Sequence, residues 1–395
     1  MSQLRGPTRR AFGSVSSPLV VAISLSIAAL AAGCHSKRAA KAPERQPVAE
    51  AEGGKCGKVS SAELAESGLL EGRLKIMAPK GAGTEPREHD VMGAPRSPQE
   101  ESRLKADADG QSLAILAEEI FQLDPERAEV EGDAIVKPKS LVDEAGSYFK
   151  AVYGSSGELD IEAVKVKQGE VRAVFARPKE VKVADGADSA LVLAMLVSLP
   201  DATLQRVSFH VTPGLVGEAA GCGKYAEYLA KTIAVGDRKL DRAGGTQTLD
   251  ALGQSVSIDV PKGYTLVKQP GPDFDTWRAV KLRTLGNYQG SLALSIDTHP
   301  DKSPPKGRDK LKRPLLGKKV EWRGERSGKG GLLVATAPLG TLPATGEEAV
   351  KPGKGKRGSA KGKTVFLQVA IKATRDGAYL DELLKIAESV TKKKK

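Results

Sequence analysis

The amino-acid sequence predicts an α+β fold of two tandem domains, each an antiparallel sheet flanked by helices, after a cleaved signal peptide and a disordered tether. Three observations predict it. An apolar run near the N-terminus ends at a cysteine, strand patterns alternate with amphipathic helical stripes, and the second half of the chain repeats the residue order of the first. The predicted boundaries are 1–33 for the signal peptide, 34–59 for the tether, 60–240 for an acidic domain and 241–395 for a basic domain.

The first 33 residues have the pattern of an export signal. Three arginines precede an apolar run from Pro18 to Ala32. In a helix this run rises about 22 Å, against roughly 30 Å of bilayer hydrocarbon, so a cleaved signal fits better than a membrane span. The segment Leu30-Ala31-Ala32-Gly33-Cys34 resembles the bacterial lipobox, although its leucine stands one position earlier than usual. The resemblance implies that Cys34 is lipidated and anchors an envelope lipoprotein that faces the periplasm.

Two alternatives stay open for this segment. A plain secretory signal, with an A-x-A-like cleavage site before an unrelated cysteine, would leave no lipid. The segment Thr8-Arg9-Arg10-Ala11-Phe12 also resembles the twin-arginine export motif, with Gly13 where an apolar residue is preferred. The export route and the choice between inner and outer membrane are therefore not fixed by the sequence.

Charge divides the mature chain. From Cys34 to Leu240 there are 28 basic and 33 acidic residues, a net of −5, whereas Asp241 to Lys395 holds 30 basic and 16 acidic residues, a net of +14. This division predicts an anionic envelope component or an acidic protein as partner of the second half. Nucleic acid is not expected, because export removes the chain from it and the few aromatic residues offer no stacking platform.

Two cysteines besides Cys34 are Cys56 and Cys222. In an oxidising envelope compartment they are candidates for a disulfide. Each precedes Gly-Lys, which favours exposed turns where two backbones approach; two separate free thiols are the alternative.

The elements of the first domain follow in order. The tether has almost no aliphatic residues and cannot fold. The pattern then predicts these elements: a short helix from Ser60 or Ser61, a strand over 73–78, a loop over 81–101, a strand or helix over 112–123, a helix capped by Ser140 with Asp143, a hairpin turning at Gln168-Gly169, strands over 190–199 and 205–212, and a closing helix over 224–234.

The second half repeats this order with a falling offset. Four pairs of segments carry the match: 74–81 with 256–263, 112–114 with 291–293, 177–178 with 337–338, and the closing helices, in which Tyr225 and Leu229 match Tyr379 and Leu383. The repeated order indicates a duplication with deletions in the second copy. The opening of that copy, Val256 to Tyr264, is similar to the start of PsbP-like domains. The resemblance implies an antiparallel sheet flanked by helices with accessory, assembly or binding roles, and it carries over no functional residues.

Lysine-rich segments interrupt the second copy, and the chain ends in Lys392 to Lys395. The predicted loops can reach phosphates or carboxylates of a partner, because lysine acts as a flexible point charge. The candidate residues are Lys310, Lys312, Arg313, Lys354, Lys356 and Arg357. The alternative is that these loops are merely solvated and that the terminal lysines complement the dipole of the closing helix.

The sequence contains no recognisable catalytic motif. Its local polar cluster Asp297-Thr298-His299-Pro300-Asp301 is explained equally well as the polar end of a strand, so no metal or cofactor is predicted. The predicted function is that of a non-enzymatic binding or assembly module. Two alternatives remain: an enzyme or metal-dependent factor with a cleft that the sequence does not reveal, and a carrier of a small apolar ligand.

Overall fold

The structure is a computed structural model. It describes residues 63–84, 99, 101–127, 140–154, 157–183, 187–269, 274–285, 290–299, 309–327, 330–343, 362–374 and 377–393. Residues Ala49–Lys395 group into one compact unit. The predicted signal peptide, Cys34 and the tether lie outside the described residues.

In its described residues, the first half of this unit contains ten strands, two α-helices and a 3-10 helix. Its strands are β1 (Leu64–Leu69), β2 (Leu74–Pro79), β3 (Gly83–Thr84), β4 (Glu101–Ala108), β5 (Gln111–Leu123), β6 (Leu159–Lys165), β7 (Arg172–Pro178), β8 (Ala190–Ser198), β9 (Thr203–Val211) and β10 (Ala234–Val235). Its helices are α1 (Leu141–Tyr153), the 3-10 helix Pro213–Glu218 and α2 (Ala219–Ala230).

The part of the second half that the structure describes contributes eleven strands and one helix. The strands are β11 (Gly245–Ala251), β12 (Gln254–Val260), β13 (Tyr264–Gln269), β14 (Thr276–Lys281), β15 (Arg283–Thr284), β16 (Gly290–Asp297), β17 (Asp309–Leu315), β18 (Lys318–Ser327), β19 (Gly330–Thr341), β20 (Thr364–Thr374) and β21 (Thr391–Lys392). The helix is α3 (Gly377–Glu388).

Each half forms one large and one small sheet, with the same strand order in both halves. The first large sheet has the order β3-β4-β5-β9-β8-β7-β6, and the second has the order β13-β14-β16-β20-β19-β18-β17. The small sheets are β1-β2-β10 and β11-β12-β21, in which the third strand follows the closing helix. The matched segments 112–114 and 291–293 lie in the third strand of their sheets. Segments 177–178 and 337–338 do not correspond. Counted along the chain, 177–178 lies in the fifth strand of its large sheet, β7, whereas 337–338 lies in the sixth, β19.

The predicted α+β, PsbP-like class with helix-flanked sheets is wrong. The described structure is mostly β, with 56% strand, 17% helix and three α-helices arranged around several antiparallel sheets. Part of the difference lies in segments that the sequence left as loops. Residues 309–327 form β17 and β18, where Leu311 and Leu315 point toward the core and lysines alternate with them, the two-residue period of a half-buried strand.

Several local predictions are confirmed. Ser140 caps α1, accepting a hydrogen bond from the Asp143 amide at 3.2 Å. The hairpin that turns at Gln168-Gly169 joins β6 to β7, and the ambiguous segment 112–123 is the strand β5. The helix predicted from Ser60 or Ser61 is wrong where the chain is described, because Leu64–Leu69 pairs with β2.

Two aliphatic cores fill the halves. One is formed by side chains between Leu69 and Ile233, and the other by side chains between Leu249 and Val390. The closing helices bury matching positions, since Tyr225 and Leu229 of α2 and Tyr379 and Leu383 of α3 are all buried. In both halves one face of the large sheet therefore packs on the closing helix.

The two halves meet at the end of β5. Strand β15 pairs in parallel with Gln122 and Leu123. Just before them the pairing of β5 with β9 shifts register at a bulge, where Phe121 has φ 52°. The bulge directs the Phe121 ring into an apolar cluster with Val267, Val280 and Leu282 of the second half.

Candidate functional site

The predicted basic residues that the structure describes lie on a hairpin of β17 and β18, residues 309–327, here called the basic hairpin. It contains seven basic and three acidic residues. Strand β17 is an edge of the second large sheet, so one side of the hairpin faces solvent. Its turn is Leu316-Gly317, both with positive φ, which fits the two-residue connection of antiparallel strands.

The two faces of the basic hairpin differ in their charge balance. Lys310 and Lys312 lie on one face, opposite Arg323 and Glu321 of β18 in the strand register. Arg313 lies on the other face, because successive side chains of a strand point in opposite directions. There its Nε donates to Oε1 of Glu388 in α3 at 2.5 Å. The structure thus separates the predicted candidates. Lys310 and Lys312 lie on the same face of the hairpin, whereas Arg313 lies on the other face and is paired with Glu388.

A second arginine follows the same rule. Arg326 donates from Nη2 to Oδ1 of Asp381 in α3 at 2.6 Å. The α3 face of the hairpin therefore carries two arginine–carboxylate pairs. The opposite face carries four cations, Lys310, Lys312, Lys319 and Arg323, and two carboxylates, Glu321 and Glu325. We call Lys310, Lys312, Glu321 and Arg323 the cationic cluster.

The cationic cluster changes the electrostatics of its carboxylate. The pKa of Glu321 is lowered, first by the hydrogen bond that Arg323 Nε donates to it, and further by the charges of Arg323, Lys310 and Lys312. Three cations share this carboxylate, so the cluster keeps a positive charge that an anionic group could neutralise. All four side chains are exposed.

The cationic cluster adjoins a sheet face made of small side chains. The register continues across the sheet from Lys310 through Arg323 to Val334, Ala370, Ala293 and Arg278. The central three of these are half-buried, while their sequence neighbours on the opposite face, such as Leu333, Val369 and Leu292, are buried against the core.

The remaining predicted site residues do not join this cluster. Lys354, Lys356, Arg357, Cys34 and Cys56 lie outside the described residues. Cys222 is described and fully buried in α2, not in the exposed turn that the sequence predicted. The pairing of Cys56 with Cys222 stays a prediction.

Arg323 and Glu321 are the members of the cluster that sequence reasoning did not select. The signal was present in the spacing. With a two-residue turn at Leu316-Gly317, positions 310 and 323 stand opposite each other, as do 312 and 321. Treating the segment as a loop hid this pairing.

A second polar cluster is buried in the first half. Arg73 donates to Glu119 Oε2 at 3.0 Å, to Asp201 Oδ2 at 3.0 Å and to Thr203 Oγ1 at 2.5 Å. Burial raises the pKa of Glu119 to about 7, although Arg73 and Gln205 act in the opposite direction. The cluster ties β2 to β5 and to the start of β9, so its geometry is that of a structural network.

Histidines contribute no metal centre in the described part of the chain, where no group of three or more His, Cys, Asp or Glu side chains could hold a metal ion. His299 is exposed, and its Nδ1 contacts the Thr298 hydroxyl at 2.9 Å. Burial, with the nearby charges of Arg103 and Arg206, lowers the pKa of His210 to about 4, so this imidazole is neutral at pH 7.

An open cavity of about 500 Å³ lies at the end of the second small sheet. Its polar lining comes from Gln254, Ser255, Thr341, Lys392 and Lys393. Lys392 donates to the Leu339 carbonyl at 2.8 Å. The cavity therefore lies between strand ends, and its lining is largely polar side chains and glycines, which does not suit a small apolar ligand.

Among the described residues, none of the helices combines the length and the apolar character that crossing a bilayer requires.

Comparison with known proteins gives little further guidance. No protein-family model matches the chain, and no curated protein matches it. Among solved structures, the chain is similar to MucB, from a crystal structure of MucB in complex with MucA(peri). The identity is 12%, over 75% of this chain and 88% of that chain, with a TM-score of 0.17.

Proposed function

We propose that this chain is an exported, lipid-anchored binding module whose cationic cluster contacts an anionic partner in the cell envelope. The proposed role is binding or assembly rather than catalysis. The anchor is Cys34, and the tether of 34–59 would let the folded unit reach beyond the membrane surface. As a flexible coil, the part of this tether over 35–54, about twenty residues, would span roughly 25 Å on average.

The observation that carries the proposal is the segregation of charge on the basic hairpin. On the α3 face each arginine has an internal carboxylate, whereas the opposite face holds four cations and two carboxylates, an excess of two positive charges. Exposed cations that exceed their local carboxylates attract anionic groups and speed their association. A hairpin whose charges only kept it soluble would not need this asymmetry.

Protection of a sheet edge is another role for lysine and proline on an outer strand, and β17 carries both. It does not account for Arg323, because β18 is paired on both sides and is not an edge. The cluster spans two strands, which favours a surface for binding over a guard against edge pairing.

The division of charge along the chain supports the same role. The first half is net acidic and the second half strongly basic. In addition, the strongly shifted groups are the buried Glu119 and the half-buried His210, which have hydrogen-bonding and charged neighbours and do not line the open cavity. Their shifts follow from burial in the fold, which supports a structural role for them.

The test uses the chain from residue 35 onward, without lipid, and an immobilised envelope fraction of a bacterial expression host. Binding of the unaltered chain should weaken by about tenfold between 50 and 300 mM NaCl, since salt screens exposed charges. The triple variant K310Q/K312Q/R323Q should bind at low salt no better than the unaltered chain does at high salt.

The matched control is K150Q/K165Q/K167Q, which removes three exposed cations from the first half. It should keep the affinity and the salt dependence of the unaltered chain. Equal binding by the two triple variants would refute a role for the cationic cluster.

A further inference from the structure

The two large sheets differ in what covers the face opposite the closing helix. In the first sheet this face is covered by α1, whose Leu141, Ala145 and Phe149 pack on Val174, Leu196 and other side chains of β7, β8 and β9. Consequently every residue of β8 is buried, on both faces of the sheet.

In the second sheet the corresponding face is open in the part of the chain that the structure describes. Helix α3 packs on the other face, with the core that contains Trp322 and Leu367. None of the described side chains that point away from α3 on β16, β19 and β20 is buried, and Leu332, Pro338 and Lys372 among them are exposed. Six half-buried side chains in the middle of this face are here called the open strip: Ala293, Ser295, Val334, Thr336, Gln368 and Ala370.

The open strip has a defined shape and border. Its residues form two adjacent cross-strand rows, Ala293–Ala370–Val334 and Ser295–Gln368–Thr336. At the β13–β14 end the sheet face is closed by the Phe121 cluster. At the other end the rows run directly into the cationic cluster, which lies on the same face.

Size and charge indicate what fits this strip. Small side chains let a helix approach a sheet closely, and three strands with their flanking pair span about 20 Å. A helix of 13 residues has the same length, as α1 shows on the first sheet. The exposed cations Lys310, Lys312 and Arg323 lie at one end of the strip, and Lys372 lies beside it, where they would face acidic side chains on the helix. They outnumber the nearby carboxylates of Glu321 and Glu325.

We propose that the open strip docks an acidic amphipathic helix from a partner protein, in the position that α1 occupies on the first sheet. The apolar stripe of that helix would pack on Val334, Ala370 and Ala293, while its acidic residues would meet the cationic cluster. This inference rests on the proposed function and names its partner. A partner strand is less suitable, because it would pair along the sheet edge and leave the strip uncovered.

The experiment uses a fluorescent synthetic peptide with the sequence of residues 140–154 and the change Lys150→Glu. It keeps the apolar stripe of α1 and carries three acidic and no basic side chains. Binding to the chain from residue 35 onward is measured by fluorescence anisotropy, and peptide helicity by circular dichroism. The peptide should bind and gain helicity, and K310Q/K312Q/R323Q should weaken binding at least fivefold.

Two substitutions on exposed or half-exposed alanines separate the strip from general charge effects. Ala370→Glu places a bulky anion at the centre of the strip and should abolish peptide binding. Ala163→Glu adds the same charge at an exposed position of β6 and should leave binding unchanged. Thermal unfolding of both variants shows whether they remain folded, and the triple variant tests the proposal independently at exposed positions.

Three outcomes would overturn the inference. One is equal peptide binding by Ala370→Glu and Ala163→Glu. Another is that the peptide does not bind, although K310Q/K312Q/R323Q still weakens binding to the envelope fraction. That result would leave the proposed function standing with a different partner. The third is no peptide binding but strip-dependent binding of phosphatidylglycerol vesicles, which would make the partner a lipid surface. Retained envelope binding by the triple variant would instead refute the proposed function itself.

Discussion

The Arg73 guanidinium donates to the Glu119 carboxylate at 3.0 Å with both side chains out of solvent. The two residues are 46 positions apart, and Asp201 and Thr203 bind the same guanidinium from further along the chain. The network joins a strand of the first small sheet to two strands of the first large sheet. Breaking either partner would leave a buried charge without its counterion, which is costly.

This network predicts a pH dependence of stability. The folded-state pKa of Glu119 is raised to about 7 from a usual value of 4.5, so between these values the folded state binds a proton that the unfolded state has lost. Stability from this group is therefore fully present below pH 4.5 and falls as the pH rises toward 7, by up to about 3 kcal/mol.

Glu119→Gln should remove that dependence while keeping the acceptor for Arg73. The added amide can also donate to Gln205 Oε1, which has no hydrogen-bond partner in the structure. Urea unfolding at pH 5 and pH 8 measures the effect. The difference in free energy of unfolding, Glu119→Gln minus unaltered chain, should be more favourable to the variant at pH 8 than at pH 5. His210 contributes a pH dependence of opposite sign, but it is present in both proteins and therefore cancels in this difference. A constant difference between the two proteins at both pH values would contradict the prediction.

The contact of Phe121 with the second half predicts that the protein loses stability when the ring is removed. Phe121 is 6% exposed and packs on Val267, Val280 and Leu282. Phe121→Ala should cost about 3 kcal/mol, since truncating a buried aromatic loses burial and leaves a cavity. Denaturant unfolding measures the cost. Phe274→Ala, at a 40% exposed position, is the control and should cost less than about 1 kcal/mol.

These features show what sequence reasoning can reach. The hairpin at Gln168-Gly169, the cap at Ser140 and the presence of the closing helices were predicted correctly because local spacing and capping determine them. The bounds of the first closing helix were not, since it begins at Ala219 and ends at Ala230 rather than spanning 224–234. The burial of Arg73 could not be predicted, since its partners come from positions 119, 201 and 203 and meet only in the folded sheet. The Phe121 bulge depends on the second half in the same way. On the basic hairpin, Leu311 and Leu315 already have the even spacing of a half-buried strand, but the many charged residues around them led to the prediction of a loop.

The lipobox-like segment predicts a lipid anchor on Cys34. Cys34→Ala should convert the exported protein from a detergent-phase to an aqueous-phase protein in Triton X-114 partitioning, because the acyl chains supply the membrane affinity. Mass spectrometry of the mature N-terminus checks the same point. Continued detergent partitioning of the variant would contradict the anchor.

A disulfide between Cys56 and Cys222 is a further prediction. Cys56 precedes β1 by eight residues, which reach about 27 Å when extended. Strand β1 pairs with β2, and the Met77 amide of β2 donates to Thr232 just after α2, the helix that holds Cys222. Peptide mapping of the exported protein without reduction should recover the linked pair, and Cys56→Ser should lower the free energy of unfolding by about 2–4 kcal/mol. Recovery of both cysteines as unlinked thiol peptides would contradict it.

The central claim is that the cationic cluster, and not the total charge of the basic hairpin, binds the partner. Lys312 and Arg313 are neighbours in sequence, but Lys312 belongs to the cationic cluster while Arg313 is paired with Glu388. The most direct measurement compares Lys312→Gln with Arg313→Gln in the envelope-binding assay at 50 mM NaCl. Lys312→Gln should weaken binding about threefold to tenfold, and Arg313→Gln should leave it within a factor of two. Equal losses in the two variants, or a larger loss in Arg313→Gln, would contradict the account.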